Sequence, residues 1–251
     1  MRAILLAAGY ATRLYPLTRD RPKPLLEVGG RPLLDHLLDR VLELDGLRDV
    51  TVVTNHRFAE HFQRWAEQLD CAVPLRIVDD GTTSEDDRLG AIGDIAFVLE
   101  QPGAEPDDSW LVAAGDNLLE LDLRTVQREF AAKPAPRILV RDVDHTGGPS
   151  PYNDVLLDDD GRVVGFTEKP KRAEGKHAAI AVYFFPPSLP GLLERYFAQG
   201  GNPDAPGYFV EWLCREEAVY ASPMSGRWFD IGSHETLEEA RREFDGAQGS
   251  N

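Results

Sequence analysis

The stretch Leu5–Gly30, LLAAGYATRLYPLTRDRPKPLLEVGG, decides how the rest of the chain is read. It opens inside an apolar run, Ala3 to Ala7, that has the length of one buried strand. At Ala8 the composition turns small and polar. Ala8, Gly9 and Ala11 let a backbone pass close to a ligand with its N–H groups free to face phosphate oxygens, and Thr12 and Arg13 add side-chain donors. Pro16, Pro22 and Pro24 stiffen the next part of the loop, so that Lys23 is presented from a restricted segment. Between Gly9 and Arg31 stand five cations, Arg13, Arg19, Arg21, Lys23 and Arg31, against two carboxylates, Asp20 and Glu27. The chain as a whole carries a formal net charge of -16. The residues alone leave two readings of this basic island: a site for a polyanion, or arginines that offset acidic neighbours across the surface.

The acidic balance argues against partnership with nucleic acid or an anionic membrane, because either would be repelled over most of the surface. At 251 residues the chain can bury a sizeable core. Cys71 and Cys214 are too few and too far apart for a disulfide framework, a zinc knuckle or a redox pair. The apolar run after Arg2 is shorter than a signal peptide needs, and no other stretch approaches the length of a transmembrane helix. The expected location is the cytoplasm.

Apolar runs of strand length alternate with helical spacing through the first half, the pattern of a mostly parallel sheet covered by helices on both faces. Strands are expected at Ala3–Ala7, Val50–Thr54, Leu75–Val78 and Trp110–Ala114. Helices are expected at Leu33–Leu44, Arg57–Leu69, Leu89–Leu99 and Leu121–Ala132. The second half turns β-rich: Asn153–Leu157 and Val163–Thr167 flank an Asp-Asp-Asp-Gly turn as a hairpin, and a further strand spans Ala179–Phe185. Helices are expected again at Leu189–Phe197, Phe209–Glu217 and His234–Phe244, with Gly246 to Asn251 as a frayed tail. The expected fold is one α/β domain over residues 1–245 with a β-rich elaboration after the first half.

Neither of the two commonest glycine-rich phosphate cradles, G-x-x-x-x-G-K-[ST] and G-x-G-x-x-G, occurs. His234-Glu235 begins like a zinc-protease helix, but Glu238 stands where the second histidine belongs, and Ser150 lacks the glycine of a nucleophile elbow. The motif that is present is another one. LLAAGYATRLYPLTRDRPKPLLEVGGRPLL resembles the signature of the sugar nucleotidyltransferases, in which L-A-x-G-x-x-T-R-L-x-P-L-T precedes P-K-P-L-L and G-x-P-L. Gly115-Asp116-Asn117, Glu168-Lys169-Pro170 and Trp228-Phe-Asp-Ile-Gly232 come in that family's order, so the likeness spans Met1 to about Phe244.

The resemblance implies a Rossmann-like fold in which residues up to about 120 hold the nucleotide and about 121–245 hold the sugar. It implies a reaction joining a nucleoside triphosphate, dTTP or UTP, to a sugar 1-phosphate, which needs charge neutralisation and alignment more than a covalent nucleophile. Arg13 would face the β- and γ-phosphates and Lys23 the α-phosphate. Leu6, Ala8, Gly9, Thr12 and Gly90 would contact the nucleotide, Gly90 letting the base approach the backbone. Asp116 and Asp230 would hold Mg²⁺, whose hard-oxygen preference suits two carboxylates and a triphosphate. Asn117, Tyr152, Asn153 and Glu168 would contact the sugar, and Lys169 its phosphate. Without the resemblance, Asp116 reads first as a strand-end turn residue, and Glu168 and Lys169 as a solvated pair beside Lys171 and Arg172. Asp230 differs, because an acid between Phe229 and Ile231 is not there for packing.

The chain departs from the family pattern in two places. Ala11 stands where most members carry a second glycine. No glutamine precedes Leu89-Gly90 to read the base, which leaves Asp86, Asp87 or backbone groups for that task. Two further readings stay open: cytidylyl transfer to a non-sugar phosphate such as phosphocholine, and a non-catalytic nucleotide-sensing subunit. A homo-oligomer is compatible with the sequence.

Overall fold

The computed structural model describes residues 1–103, 105–143, 150, 152–224 and 226–248, the last four of these as backbone. In chain order its first half contains β1 (Arg2–Leu6), α1 (Leu33–Leu42), β2 (Val50–Thr54), α2 (Ala59–Ala66), β3 (Leu75–Asp79), α3 (Ala91–Leu99), β4 (Trp110–Ala114) and α4 (Leu123–Ala132). The second half contains β5 (Arg137–Asp142), β6 (Asp154–Leu157), β7 (Val163–Thr167), β8 (His177–Phe185), α5 (Leu189–Ala198), α6 (Pro206–Glu216), β9 (Tyr220–Pro223) and α7 (His234–Gln248).

These nine strands form one sheet. β1 lies between β2 and β4 and runs parallel to both, and β3 extends the parallel set beyond β2. β8 enters antiparallel to β4; its other edge carries β5, and β9 lies parallel to β5 at the margin. The β6–β7 hairpin hangs from the start of β8, where His177 pairs with Val155. The sheet is mostly parallel, flanked by helices, with the β-rich addition in the second half.

Alternation along β1 explains the layers. Ala3 and Leu5 join a core built with Leu34, Leu37 and Val41 of α1, Phe62 and Trp65 of α2, and Val126 and Phe130 of α4. Ile4 faces the opposite core, made with Ile92 and Ile95 of α3, Leu192 and Leu193 of α5, and Phe209 and Leu213 of α6. A third, smaller core gathers Leu14, Leu26, Val28 and Leu33 with Leu118, Ile231 and Leu237. It seats the loop after β1 on α7.

Several element boundaries differ from expectation for local reasons. α3 starts at Ala91 because Gly90 takes φ +80° and ends the extended approach. α4 starts at Leu123, where the Asp122 side chain accepts the Arg124 N–H at 2.9 Å as an N-cap. His56–Phe58 forms a 3-10 turn ahead of α2, capped by Asn55. β5 and β9 fall where no strand was expected. α7 continues to Gln248; the expected tail from residue 249 onward lies outside the described residues.

Candidate active site

The strand order reverses at β1, with β2 and β3 on one side and β4 on the other, and open α/β sheets place ligands at the carboxyl ends of strands beside such a reversal. The loop after β1 is held there from several directions. Asn55 Nδ2 donates to the Ala8 carbonyl at 2.8 Å, and the hydroxyl of the fully buried Thr18 donates to the Ala11 carbonyl at 2.7 Å. Ala11 adopts the left-handed conformation, φ +47°, that glycine would supply freely. For alanine this costs about 1–2 kcal/mol, which the Thr18 anchor and the small third core offset. Gly9 is exposed, with open space around it, and Thr12 and Arg13 point outward from the same loop.

Lys23 Nζ donates to Asp116 Oδ2 at 2.7 Å, joining the basic loop to the turn after β4. Asp230 arrives on a separate ribbon in which Trp228 pairs with Leu119 and Phe229 with Leu118, so the antiparallel register delivers it beside the Asp116-Asn117 turn. Burial of Ile231 in the third core anchors it there. Desolvation pushes the Asp230 carboxyl above its ordinary range; Lys23 counters this, the Asp116 charge adds to it, and Arg141 and Arg13 pull it down again. Arg13, Lys23, Asp116 and Asp230, named separately from sequence, thus share one electrostatic neighbourhood.

Arg141 was not anticipated. Its guanidinium lies 4.9 Å from the ring centre of Trp228 and 5.7 Å from that of Tyr152. All three, with Asp230, line a cleft of about 600 Å³. The signal in the sequence is an arginine closing a hydrophobic run, Ile138-Leu-Val-Arg141, inside β5.

Asn117 and Asn153 turn out to be joints. Asn117 Nδ2 donates to the Ala114 and Ala181 carbonyls, and its Oδ1 accepts the Trp228 indole N–H at 2.8 Å. Asn153 donates to the Ala179 carbonyl and accepts the Ala179 N–H. Each amide therefore fixes the place of a neighbour, Asn117 holding the Asp230 ribbon and Asn153 the segment that carries Tyr152.

Glu168 and Lys169 stand at the end of β7 against α6. Lys169, at φ +52°, places its ammonium 5.5 Å from the Tyr208 ring centre. Burial raises the Glu168 carboxyl above its ordinary range, with Lys169 opposing and Glu211 reinforcing. The fit against α6 is tight: a Cβ on Gly207 would lie 1.9 Å from Glu168 Oε2. Among the described residues no hydrogen bond or ion pair joins Lys169 to Asp116 or Asp230.

On the other side of the loop, Leu6, Ala8, Gly9 and Gly90 line one cavity of about 340 Å³ together with Asp80 and Asp94. Gly90 admits no side chain, since a Cβ there would lie 2.5 Å from the Pro203 carbonyl oxygen. Asp87 is occupied elsewhere: its carboxylate accepts the N–H groups and hydroxyls of Thr83 and Ser84, which hold it low, at about 2. The acids lining this cavity are Asp80, Asp94, Glu85 and Asp204, while Asp86 borders the adjoining one with Leu89 and Gly90.

The model for the nucleotidyl transferase family matches residues 2–245. The chain belongs to that family. Within this nucleotidyl transferase family, similar curated proteins include glucose-1-phosphate thymidylyltransferase of Streptomyces antibioticus, 33% identical over 96% of this chain and 65% of its own length. UTP--glucose-1-phosphate uridylyltransferase of Synechocystis is 30% identical over 92% and 60%. Mannose-1-phosphate guanylyltransferase catalytic subunit beta of Drosophila pseudoobscura pseudoobscura is 29% identical over 92% and 59%. The chain therefore spans about three fifths of the length of these relatives. Among solved structures, UDP-glucose pyrophosphorylase complexed with UDP-glucose superposes with a TM-score of 0.80 at 17% identity, covering 98% of each chain. A putative glucose-1-phosphate thymidylyltransferase from Bacillus anthracis gives 0.78 at 20%, covering 98% of this chain and 95% of its own. These establish a shared fold.

The donor set of this family member fits a hard divalent cation. Asp116 and Asp230 offer only oxygen, the donor that Mg²⁺ prefers beside its phosphate and water ligands, and the Asp116 charge helps to raise the Asp230 carboxyl. Among the described residues no cluster of three or more His, Cys, Asp or Glu forms an all-protein cage. No helix among them is long and apolar enough to cross a membrane.

Proposed function

We propose that the chain joins a nucleoside triphosphate to a sugar 1-phosphate with the help of Mg²⁺, releasing pyrophosphate. The observation that carries this reading is the contact between Lys23 and Asp116, 93 residues apart in sequence, with Asp230 in the field of both. In the reaction an oxygen of the sugar phosphate forms a bond to the α-phosphorus as the bond from that phosphorus to the β-phosphate oxygen breaks, and the electron pair leaves with pyrophosphate. The attacking group is already anionic, so the protein's task is alignment and charge neutralisation. Lys23 meets the α-phosphate, where charge accumulates, and Arg13 the β- and γ-phosphates. Asp116 and Asp230 hold Mg²⁺, which supplies further neutralisation when bound. Lys169 receives the sugar phosphate, Glu168 accepts sugar hydroxyls, and Tyr152 borders the same cleft.

dTTP or UTP is the expected donor. The names of the relatives, thymidylyl-, uridylyl- and guanylyltransferase, support a base that carries a ring C=O next to a ring N–H. The test is pyrophosphate release from the five common nucleoside triphosphates against a panel of sugar 1-phosphates and phosphocholine, with Mg²⁺ or with chelator. A chelator-sensitive signal with a sugar phosphate is the expected result. Release with phosphocholine alone, or none with any pair, would reject the reading.

A further inference from the structure

The turn that carries Glu168 and Lys169 receives little support from its own segment. β7 pairs with β6 as far as Thr167, opposite Asp154, and the ladder stops there. Pro170 has no N–H to give, and among the described residues no main-chain hydrogen bond closes the turn. Lys169 stands inside it at φ +52°. A left-handed backbone is unfavourable for a non-glycine residue and persists only where the surroundings over-determine it. Here α6 supplies those surroundings from one face. Gly207 leaves room for the Glu168 carboxyl, and the Tyr208 ring centre lies 5.5 Å from the Lys169 ammonium. Glu211, one helical turn beyond Gly207, accepts the Glu168 N–H on Oε2 at 3.1 Å. Its Oε1 accepts from Arg215 at 2.7 Å, so both carboxylate oxygens are engaged and the side chain is held in one orientation. Phe209, Val210 and Leu213 fix the helix itself in the core that Ile4 faces.

We propose that Glu211 is a positioning residue for the acceptor end of the site: braced by Arg215, it holds the Glu168 backbone so that Lys169 keeps its left-handed conformation and its ammonium stays where the acceptor phosphate arrives. This rests on the function proposed above, and goes beyond it by giving a role to a residue outside the reacting groups. The hydrogen bond acts on the residue just before the strained one. With its N–H captured, the Thr167–Glu168 peptide plane cannot turn, and Lys169, next in line, has little freedom to relax into a right-handed conformation. An i, i+4 Glu–Arg pair on a helix is by itself worth little. Here one oxygen of the pair serves another element, and that element carries two of the residues assigned to the acceptor.

The inference is tested with Glu211→Ala, which removes the acceptor, and Glu211→Gln, which keeps an oxygen at the same reach. Amide exchange at Glu168, followed by NMR, should speed up in E211A and stay near the wild type in E211Q. In pyrophosphate-release assays, E211A should raise KM for the sugar phosphate about tenfold and leave KM for the triphosphate within about twofold, the effect of a small misplacement of one substrate. E211Q should recover most of the loss. A merely structural role would shift Tm and both KM values together and gain nothing from glutamine. Unchanged exchange at Glu168 or unchanged KM for the sugar phosphate in E211A, an equal rise for both substrates, or E211Q no better than E211A would overturn the assignment. Should E211A not fold, Arg215→Ala, at an exposed position, is expected to move KM for the sugar phosphate the same way by a smaller factor, and no such change would overturn the assignment equally. If the wild type releases pyrophosphate and the variants behave like it, the positioning role alone fails. If no pair gives pyrophosphate, the proposed reaction fails, and calorimetric binding of the sugar 1-phosphates decides the positioning role: weaker binding to E211A than to the wild type and E211Q supports it, and equal or no binding overturns it.

Discussion

Replacing Lys23 by methionine removes the cation that stands among two carboxylates. The ammonium lies 2.7 Å from Asp116, with the lysine side chain 14% exposed and the aspartate 36%. At an effective dielectric constant of about 20 the contact is worth roughly 6 kcal/mol before desolvation and side-chain ordering are counted. Pairs of this exposure retain about 1–2 kcal/mol. The variant also leaves Asp116 and Asp230 to repel one another without Lys23 nearby, so a loss of about 2 kcal/mol is expected, or roughly 4–8 °C in Tm for a chain of this size. Millimolar Mg²⁺ should return more of that loss to Lys23→Met than it adds to the wild type, since it replaces the missing charge. Turnover should fall about 10²–10³-fold, the scale for removing one electrostatic donor from a transition state. Thermal denaturation with and without Mg²⁺, beside pyrophosphate release, reads both effects. A variant with the wild-type Tm and turnover within about tenfold would refute the reasoning, as would a lost Tm that Mg²⁺ leaves untouched.

Asn117→Ala should cost about 3 kcal/mol, because it strips partners from two carbonyls and the Trp228 indole at once. Turnover should drop with it as the Asp230 ribbon loosens; urea unfolding and steady-state kinetics check the two together. Gly207→Ala forces Glu168 to move, so KM for the sugar phosphate should rise several-fold while KM for the triphosphate stays within about twofold, as initial rates would show. Asp94 carries a pH signature in the absence of nucleotide. Its folded pKa is raised, so the native state holds a proton that the unfolded chain releases, and stability should fall as pH rises from about 4 towards 8. Asp94→Asn should remove much of that slope and be the more stable protein at pH ~8, by a few kcal/mol; chemical denaturation across that range would show otherwise if the two curves ran parallel.

The parts of the fold that were legible are those written in local pattern. β2 and β4 end where their apolar runs end, and β1, α1 and α5 shift by only a residue or two. β5 and β9 went unread because their evidence is not local. Arg137–Asp142 has charged residues at both ends of a short apolar centre, and Tyr220–Pro223 becomes a strand only by lying beside it. The ribbon that brings Asp230 to Asp116 is two residues long on each side, below any periodicity. In the site, charge was visible but occupation was not. Asn117 and Asn153 looked free to meet a sugar, yet backbone groups from β8 claim their amides. Asp94 could have been found by the argument that singled out Asp230, since it shares a helical face with Ala91, Ile95 and Val98, where an acid serves no packing purpose.

The small core beneath the basic loop has a consequence for how the protein is made. Leu14 and Leu26 are covered by Ile231 and Leu237, and the Tyr15 carbonyl meets His234 from 219 residues further along the chain. A ribosome working at about 5–20 residues per second exposes the first of these segments roughly 10–45 s before the last. During that interval β1 can already pair with β2, but its basic loop has no floor. The segment richest in sequence information is thus among the last to be fixed in place, and a nascent chain halted before Ile231 should carry the signature without the site.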